Sequence, residues 1–222
     1  MEKASLQFLK NLNRNNHKEW FDQNRPAYEL AKQDFIALVA KFLNGMEKKH
    51  ASYRGIEPKT CIFRINRDVR FSANKSPYKN HLGASINAWG RKSSKAGFYL
   101  HLEPGNCFLA AGVWMPPAPH LQAIRQEIDY QTNAFLSVIN NPTFKREVGS
   151  LDESDTLVNI PKGYPKDHPQ AQYLRLKSYL AIKGWSDKEM LEPAIEKELV
   201  RAGIAMLPLI DFINQALTDL PA

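Results

Sequence analysis

Five cationic side chains, Arg64, Arg67, Arg70, Lys75 and Lys79, stand within the seventeen residues from Phe63 to Lys79, with one acid, Asp68, and the aromatics Phe63, Phe71 and Tyr78. Arginine presents a planar fork of donors that matches two oxygens of a phosphate or carboxylate, whereas lysine supplies a point charge. Aromatic rings among such cations can stack a base or a sugar. On an extended chain Arg64 and Arg70 would face one way and Arg67 the other. The three converge only if the strand ends near Asn66 and the chain turns, and Asn66, Asp68, Asn74 and Ser76-Pro77 all favour turns. The expected site is therefore an arginine-lined loop whose ligand-binding residues are Arg64, Arg67, Asp68, Arg70, Lys75, Tyr78 and Lys79. In the competing structural reading, Asp68 pairs with one arginine and the other cations lie on a solvated face or cap helix ends.

The charge is local. Of 30 Lys+Arg and 23 Asp+Glu, the stretch from Arg54 to Lys95 holds ten basic and two acidic residues, and the rest of the chain is close to neutral. A basic region on an otherwise balanced chain points to an anionic partner, either a phosphorylated small molecule or a nucleic acid.

Catalytic templates are sparse. The chain has no phosphate loop, no dinucleotide-binding glycine motif, no nucleophile elbow and no His-Glu-x-x-His, so neither a cofactor nor a metal is expected. His101 and Glu103, two apart, would share one strand face and could in principle ligate a metal or exchange a proton; the expectation is a hydrogen-bonded pair. His168 lies in the stiff loop Pro161-Lys-Gly-Tyr-Pro-Lys-Asp-His-Pro169 and joins the candidate ligand-binding residues with Tyr164, should that loop fold over the arginines. Three versions stay open: a binding module, an enzyme using His168 or Asp68 as acid or base on a phosphorylated substrate, and a structural Arg67-Asp68 pair supporting a protein-interaction surface.

These residues need elements to position them. Leu6, Phe8, Leu9 and Leu12 predict a short helix, and Tyr28 to Met46 a long amphipathic one with Pro26 in its first turn. Period-two alternation predicts a strand over Cys61–Asn66, and strand-like runs follow near Leu82–Trp89, Gly97–Leu102 and Cys107–Trp114. Glu103-Pro-Gly-Asn106 predicts a hairpin between the last two. Helical spacing returns over Leu121–Ile139, and Asn141-Pro142 can cap a further short helix. A helix or strand is expected over Tyr173–Ile182. Ser186-x-x-Glu189 predicts a capping box opening a final helix, split by Gly203 and Pro208. Helices, consecutive strands, then helices give an α+β fold: one domain over residues 1–222, with a central antiparallel sheet and helices mainly on one face. With no signal peptide or membrane span recognised, and with Cys61 and Cys107 as buried free thiols, a cytoplasmic location without membrane association is expected.

Arg64-x-x-Arg67-Asp68-x-Arg70-Phe71 followed by Asn74-Lys75-x-x-Tyr78-Lys79 resembles the signature of domain-of-unknown-function family 2461 from bacteria and fungi. Asn15-Asn16-x-x-x-Trp20-Phe21, Pro104-Gly-Asn106, Pro161-Lys-Gly-Tyr164 and His168-Pro169 are similar to that family's pattern as well, so the resemblance runs along nearly the whole chain. It implies no particular activity.

Overall fold

The computed structural model describes residues 1–220. In chain order its elements are α1 (Lys3–Arg14), α2 (Lys18–Gln23), α3 (Arg25–Met46), a 3-10 turn (Ala51–Tyr53), α4 (Pro58–Cys61), β1 (Leu82–Ile86), β2 (Gly97–Leu102), β3 (Cys107–Val113), α5 (Ala118–Tyr130), α6 (Thr132–Ile139), α7 (Pro142–Glu147), α8 (Ala171–Leu174), β4 (Tyr179–Trp185), α9 (Asp187–Met190) and α10 (Ile195–Ala216). The strands form one antiparallel sheet in the order β1-β2-β3-β4, and the fold is α+β. By packing, the described chain forms two compact units. One comprises Met1–Ala88, Tyr99–Leu109 and Gly184–Val200, the other Trp89–Phe98, Ala110–Lys183 and the described residues from Arg201 onward.

In the first unit, α1 packs on α3. The α1 stripe Leu6, Phe8, Leu9 and Leu12 is buried, as is the α3 stripe Tyr28, Ala31, Phe35, Leu38, Val39, Phe42, Leu43 and Met46. Each fully buried side chain of this size contributes roughly 1.5–3 kcal/mol of burial free energy. Gly45, inside the last turn of α3, leaves room for Val200: a Cβ there would come within 2.4 Å of its side chain. The turn Glu103–Asn106 forms as expected, closed by the Asn106 N–H donating to Glu103 O at 2.9 Å, with Gly105 at φ +81°.

Three expectations are corrected. Cys61 ends the short helix α4, and the stretch after it is no strand: only Ile62 and Asn66 make isolated bridges, to Ala84 and Tyr78. The period-two pattern was real, but the alternation is that of an extended segment touching β1 at one point. The Ser186–Glu189 capping box forms, each partner bonding the other's backbone, yet it opens a single turn. Pro193 follows at once and disfavours helix at Glu192. Gly203 and Pro208, by contrast, do not interrupt α10. Ala202, Ala205, Met206, Leu207, Leu209 and Ile210 are all buried around them, and that burial outweighs the missing N–H of proline. Helix α10 is also long and apolar enough to cross a membrane, with 56% of its most apolar window buried inside the protein. A core helix meets the same description.

Candidate functional site

The cationic segment folds into an irregular hairpin of the first unit. Its arms are joined by the Asn66–Tyr78 bridge, by Arg67 N–H donating to Pro77 O at 2.9 Å and by Lys79 N–H donating to Ile65 O at 2.8 Å. The side-chain amide of Asn16 clamps the base: its Nδ2 donates to Tyr78 O at 2.9 Å, and its Oδ1 accepts from Tyr78 N–H at 3.0 Å. Tyr78 itself is buried and stacks on Phe21, with centroids 4.0 Å apart. It therefore anchors the hairpin through its ring, and Asn16 and Phe21, both in the stretch Asn15–Phe21, prove to be its partners.

The five cations take different roles. Arg67 is half-buried and staples the loop, donating to Ser76 O at 3.1 Å and Ser72 Oγ at 3.2 Å. Arg70 makes a two-pronged pair with Asp68, at 3.0 and 2.7 Å, and holds that carboxyl below the usual range. Lys75 donates to Val69 O at 3.1 Å, and Lys79 lies over the Phe63 ring at 5.2 Å. Arg64 is exposed and makes no hydrogen bond or ion pair among the described residues. At the tip, Phe71 is 97% exposed, with the Arg70 guanidinium 5.9 Å from its ring centre. Arg64, Arg70 and Lys75 thus face solvent, Arg70 beside the bare Phe71 ring, while Arg67 and Tyr78 build the support.

The arm that ends at Lys79 leads directly into a second cluster of the same unit. His101 and Glu103 lie on one side of β2 and its exit, as period two requires, and the His101 Nε2–Glu103 Oε2 distance is 3.1 Å. His81, immediately before β1, lays its ring 4.3 Å from that of His101. One donor atom from each of the three lies within 4.8 Å of the others. Around them, Tyr99 Oη is 2.9 Å from His101 Nδ1, Asn106 Nδ2 donates to Glu103 Oε2 at 3.2 Å, and Asn80 Nδ2 donates to Glu103 Oε1. Phe108 stacks on His101 at 4.7 Å. Spacing alone linked His101 with Glu103; His81 joins them only through the β1-β2 register, for which the sequence carries no local signal.

Burial sets the proton chemistry here. It lowers His81 to about 4, with His101 and Lys79 adding to the effect, and it lowers His101 against the opposing pull of Glu103. Burial works to raise Glu103, but its hydrogen bonds from His101 and Asn106 outweigh that and leave it lowered. A folded-state pKa below the unfolded one means that the unfolded chain binds more protons as pH falls. The metal-free protein is therefore expected to keep its stability above about pH 6.5, the ordinary histidine value, and to lose it progressively towards about pH 4. Urea midpoints across that range check this, and a His81→Leu variant should show a shallower decline. A midpoint independent of pH over the window would rule the burial effect out.

His168 and Tyr164 belong to the second unit. His168 Nε2–H donates to Asp129 Oδ1 at 2.9 Å and its Nδ1 accepts from Gln170 N–H at 3.0 Å, so both ring nitrogens are engaged in holding the loop. Tyr164 lies edge-on to that ring at 6.0 Å, and its hydroxyl pKa is raised by burial and by Asp129. Of the two partners of His168, Asp129 belongs to α5 and Gln170 directly follows the loop.

The family model described as conserved hypothetical protein (DUF2461) matches residues 4–212. No curated protein and no solved structure matches the chain.

Proposed function

We propose that this chain, which belongs to the conserved hypothetical protein family DUF2461, binds single-stranded nucleic acid along the hairpin from Arg64 to Lys79. The observation that carries the reading is the exposed tip, where Phe71 stands 97% bare beside Arg70, on a segment whose cations Arg64 and Lys75 are exposed as well. Burying such a ring in the protein would be favourable, and a stacked base covers it equally well. The cations stand on an open hairpin, with 76% of the Arg70 side chain exposed. A small anion there would stay largely hydrated, whereas small-ligand sites enclose most of their ligand. A polymer gains from several phosphate contacts at once and from the release of its counterions.

The test is fluorescence anisotropy with a labelled oligothymidylate across a salt series. Three phosphate contacts predict a slope of log affinity against log salt of about −2, from roughly −0.7 per phosphate on a single strand. Phe71→Ala should weaken binding by about 1–3 kcal/mol, and Arg64→Gln should flatten the slope by about 0.7. No binding at low salt, or binding indifferent to both substitutions, overturns the proposal. Protection by inorganic phosphate or a mononucleotide alone, lost in the same variants, would transfer the site to a small phosphorylated ligand.

A further inference from the structure

We propose that His81, His101 and Glu103 form a binding site for a divalent first-row transition-metal ion such as Zn²⁺ or Fe²⁺, with the remaining coordination positions open to water or a substrate oxygen. The inference stands apart from the hairpin reading, since none of its three ligands belongs to the Arg64–Lys79 segment.

The donor set comes first. Two imidazoles and one carboxylate are the ligands that ions of this group share, whereas Mg²⁺ and Ca²⁺ take oxygen ligands. Three protein ligands with open positions are the arrangement of catalytic sites; structural sites close all four. Metal–nitrogen and metal–oxygen bonds of about 2.0–2.2 Å place donors around one ion no more than about 4.4 Å apart. The three donors lie within 4.8 Å of one another, so side-chain movements of under about 1 Å close the site.

The surroundings are those a metal site requires. His101 Nδ1 faces the Tyr99 hydroxyl at 2.9 Å, and His81 Nδ1 lies 3.3 Å from Asn80 Oδ1. A hydroxyl can donate or accept, so Tyr99 serves either tautomer of His101. When Nδ1 carries the proton, Nε2 has its lone pair free for an ion. The carboxylate is held at one oxygen by Asn80 and at the other by Asn106. Every ligand thus has an outer partner that orients it. An ion between His101 Nε2 and Glu103 Oε2 takes the place of the proton these atoms share at 3.1 Å. Burial is graded: the His101 side chain is 9% exposed and the Glu103 side chain 22%, so the site opens on the Glu103 side. Phe108, stacked on His101, supplies an apolar wall. Gly83 preserves this arrangement, since a Cβ there would lie 2.7 Å from the Tyr99 hydroxyl.

The experiment is titration of tag-free, chelator-treated protein with Co²⁺, read by visible absorption, and with Zn²⁺, read by calorimetry and thermal unfolding. One ion per chain is expected, with visible ligand-field bands for Co²⁺. The midpoint should rise by about 5–10 °C at a hundredfold excess of Zn²⁺ over its Kd. Mg²⁺ at the same concentration should not displace Co²⁺. His81→Asn and Glu103→Gln should abolish the bands. Tyr99→Phe, which keeps all three ligands, should weaken binding by about 10–100-fold. Arg70→Gln, in the hairpin, should leave the Co²⁺ spectrum unchanged, which separates this site from the nucleic-acid reading. Absence of a stoichiometric Co²⁺ spectrum, or a spectrum retained in both His81→Asn and Glu103→Gln while these variants stay folded, overturns the proposal.

Discussion

Alanine at Gly112 is expected to destabilise the protein by at least about 4 kcal/mol, enough to leave much of it unfolded or insoluble, since domains of this kind are stable by only about 5–15 kcal/mol. Gly112 lies in β3 at φ +127°, a conformation open to glycine and strained for any residue with a Cβ. A Cβ built there would lie 1.9 Å from the carbonyl oxygen of Tyr179, inside van der Waals contact with backbone that cannot swing aside. Tyr179 is itself immobile: its side chain is fully buried, and its hydroxyl donates to Tyr173 O at 2.9 Å. The control is Gly105→Ala. Gly105 also has positive φ, at +81°, but a Cβ there meets nothing within 4 Å, so only the left-handed conformation costs, about 1–2 kcal/mol. Soluble yield and urea midpoints of the two variants decide the matter. Equal effects would mean that β3 and β4 do not approach at Gly112 as described.

Asn16→Ala is expected to cost about 2–4 kcal/mol, because it strands both backbone groups of Tyr78, the N–H and the carbonyl, in a partly buried place. Its consequences should reach the hairpin. With the clamp gone, the Tyr78 ring on Phe21 and the ladder bonds through Arg67 and Lys79 are among the contacts left to hold the base. Oligonucleotide affinity should then fall along with stability, whereas Arg64→Gln should lower affinity alone. Asn16→Asp should behave almost as badly as alanine: a carboxylate can accept from Tyr78 N–H but repels its carbonyl. Denaturation curves and amide exchange at Tyr78 test both variants. An unchanged exchange rate in Asn16→Ala would show that the clamp does not hold the hairpin.

Much of the fold was legible along the chain because helix periodicity, caps and turns act over three or four residues. The apolar steps of α3, Asn141 capping α7, the Ser186–Glu189 box and the turn at Glu103–Asn106 all depend on near neighbours, and all form. The density of cations between Arg64 and Lys79 is likewise a property of sequence alone. What each cation does is not. Arg64, Arg67 and Arg70 look interchangeable in the chain, yet Arg67 is tied to Ser76 and Ser72, Arg70 to Asp68, and Arg64 is left to solvent. Those differences arise from where the hairpin turns, and its base is bonded to Asn16, 62 positions before Tyr78. The same holds for His81, twenty positions from His101 and brought to it by the pairing of β1 with β2. It holds too for α10, where burial of neighbours on both sides of Pro208 overrides the local preference to break. Local chemistry names the residues able to act; strand register and packing, which sum weak preferences over distant segments, decide which of them meet.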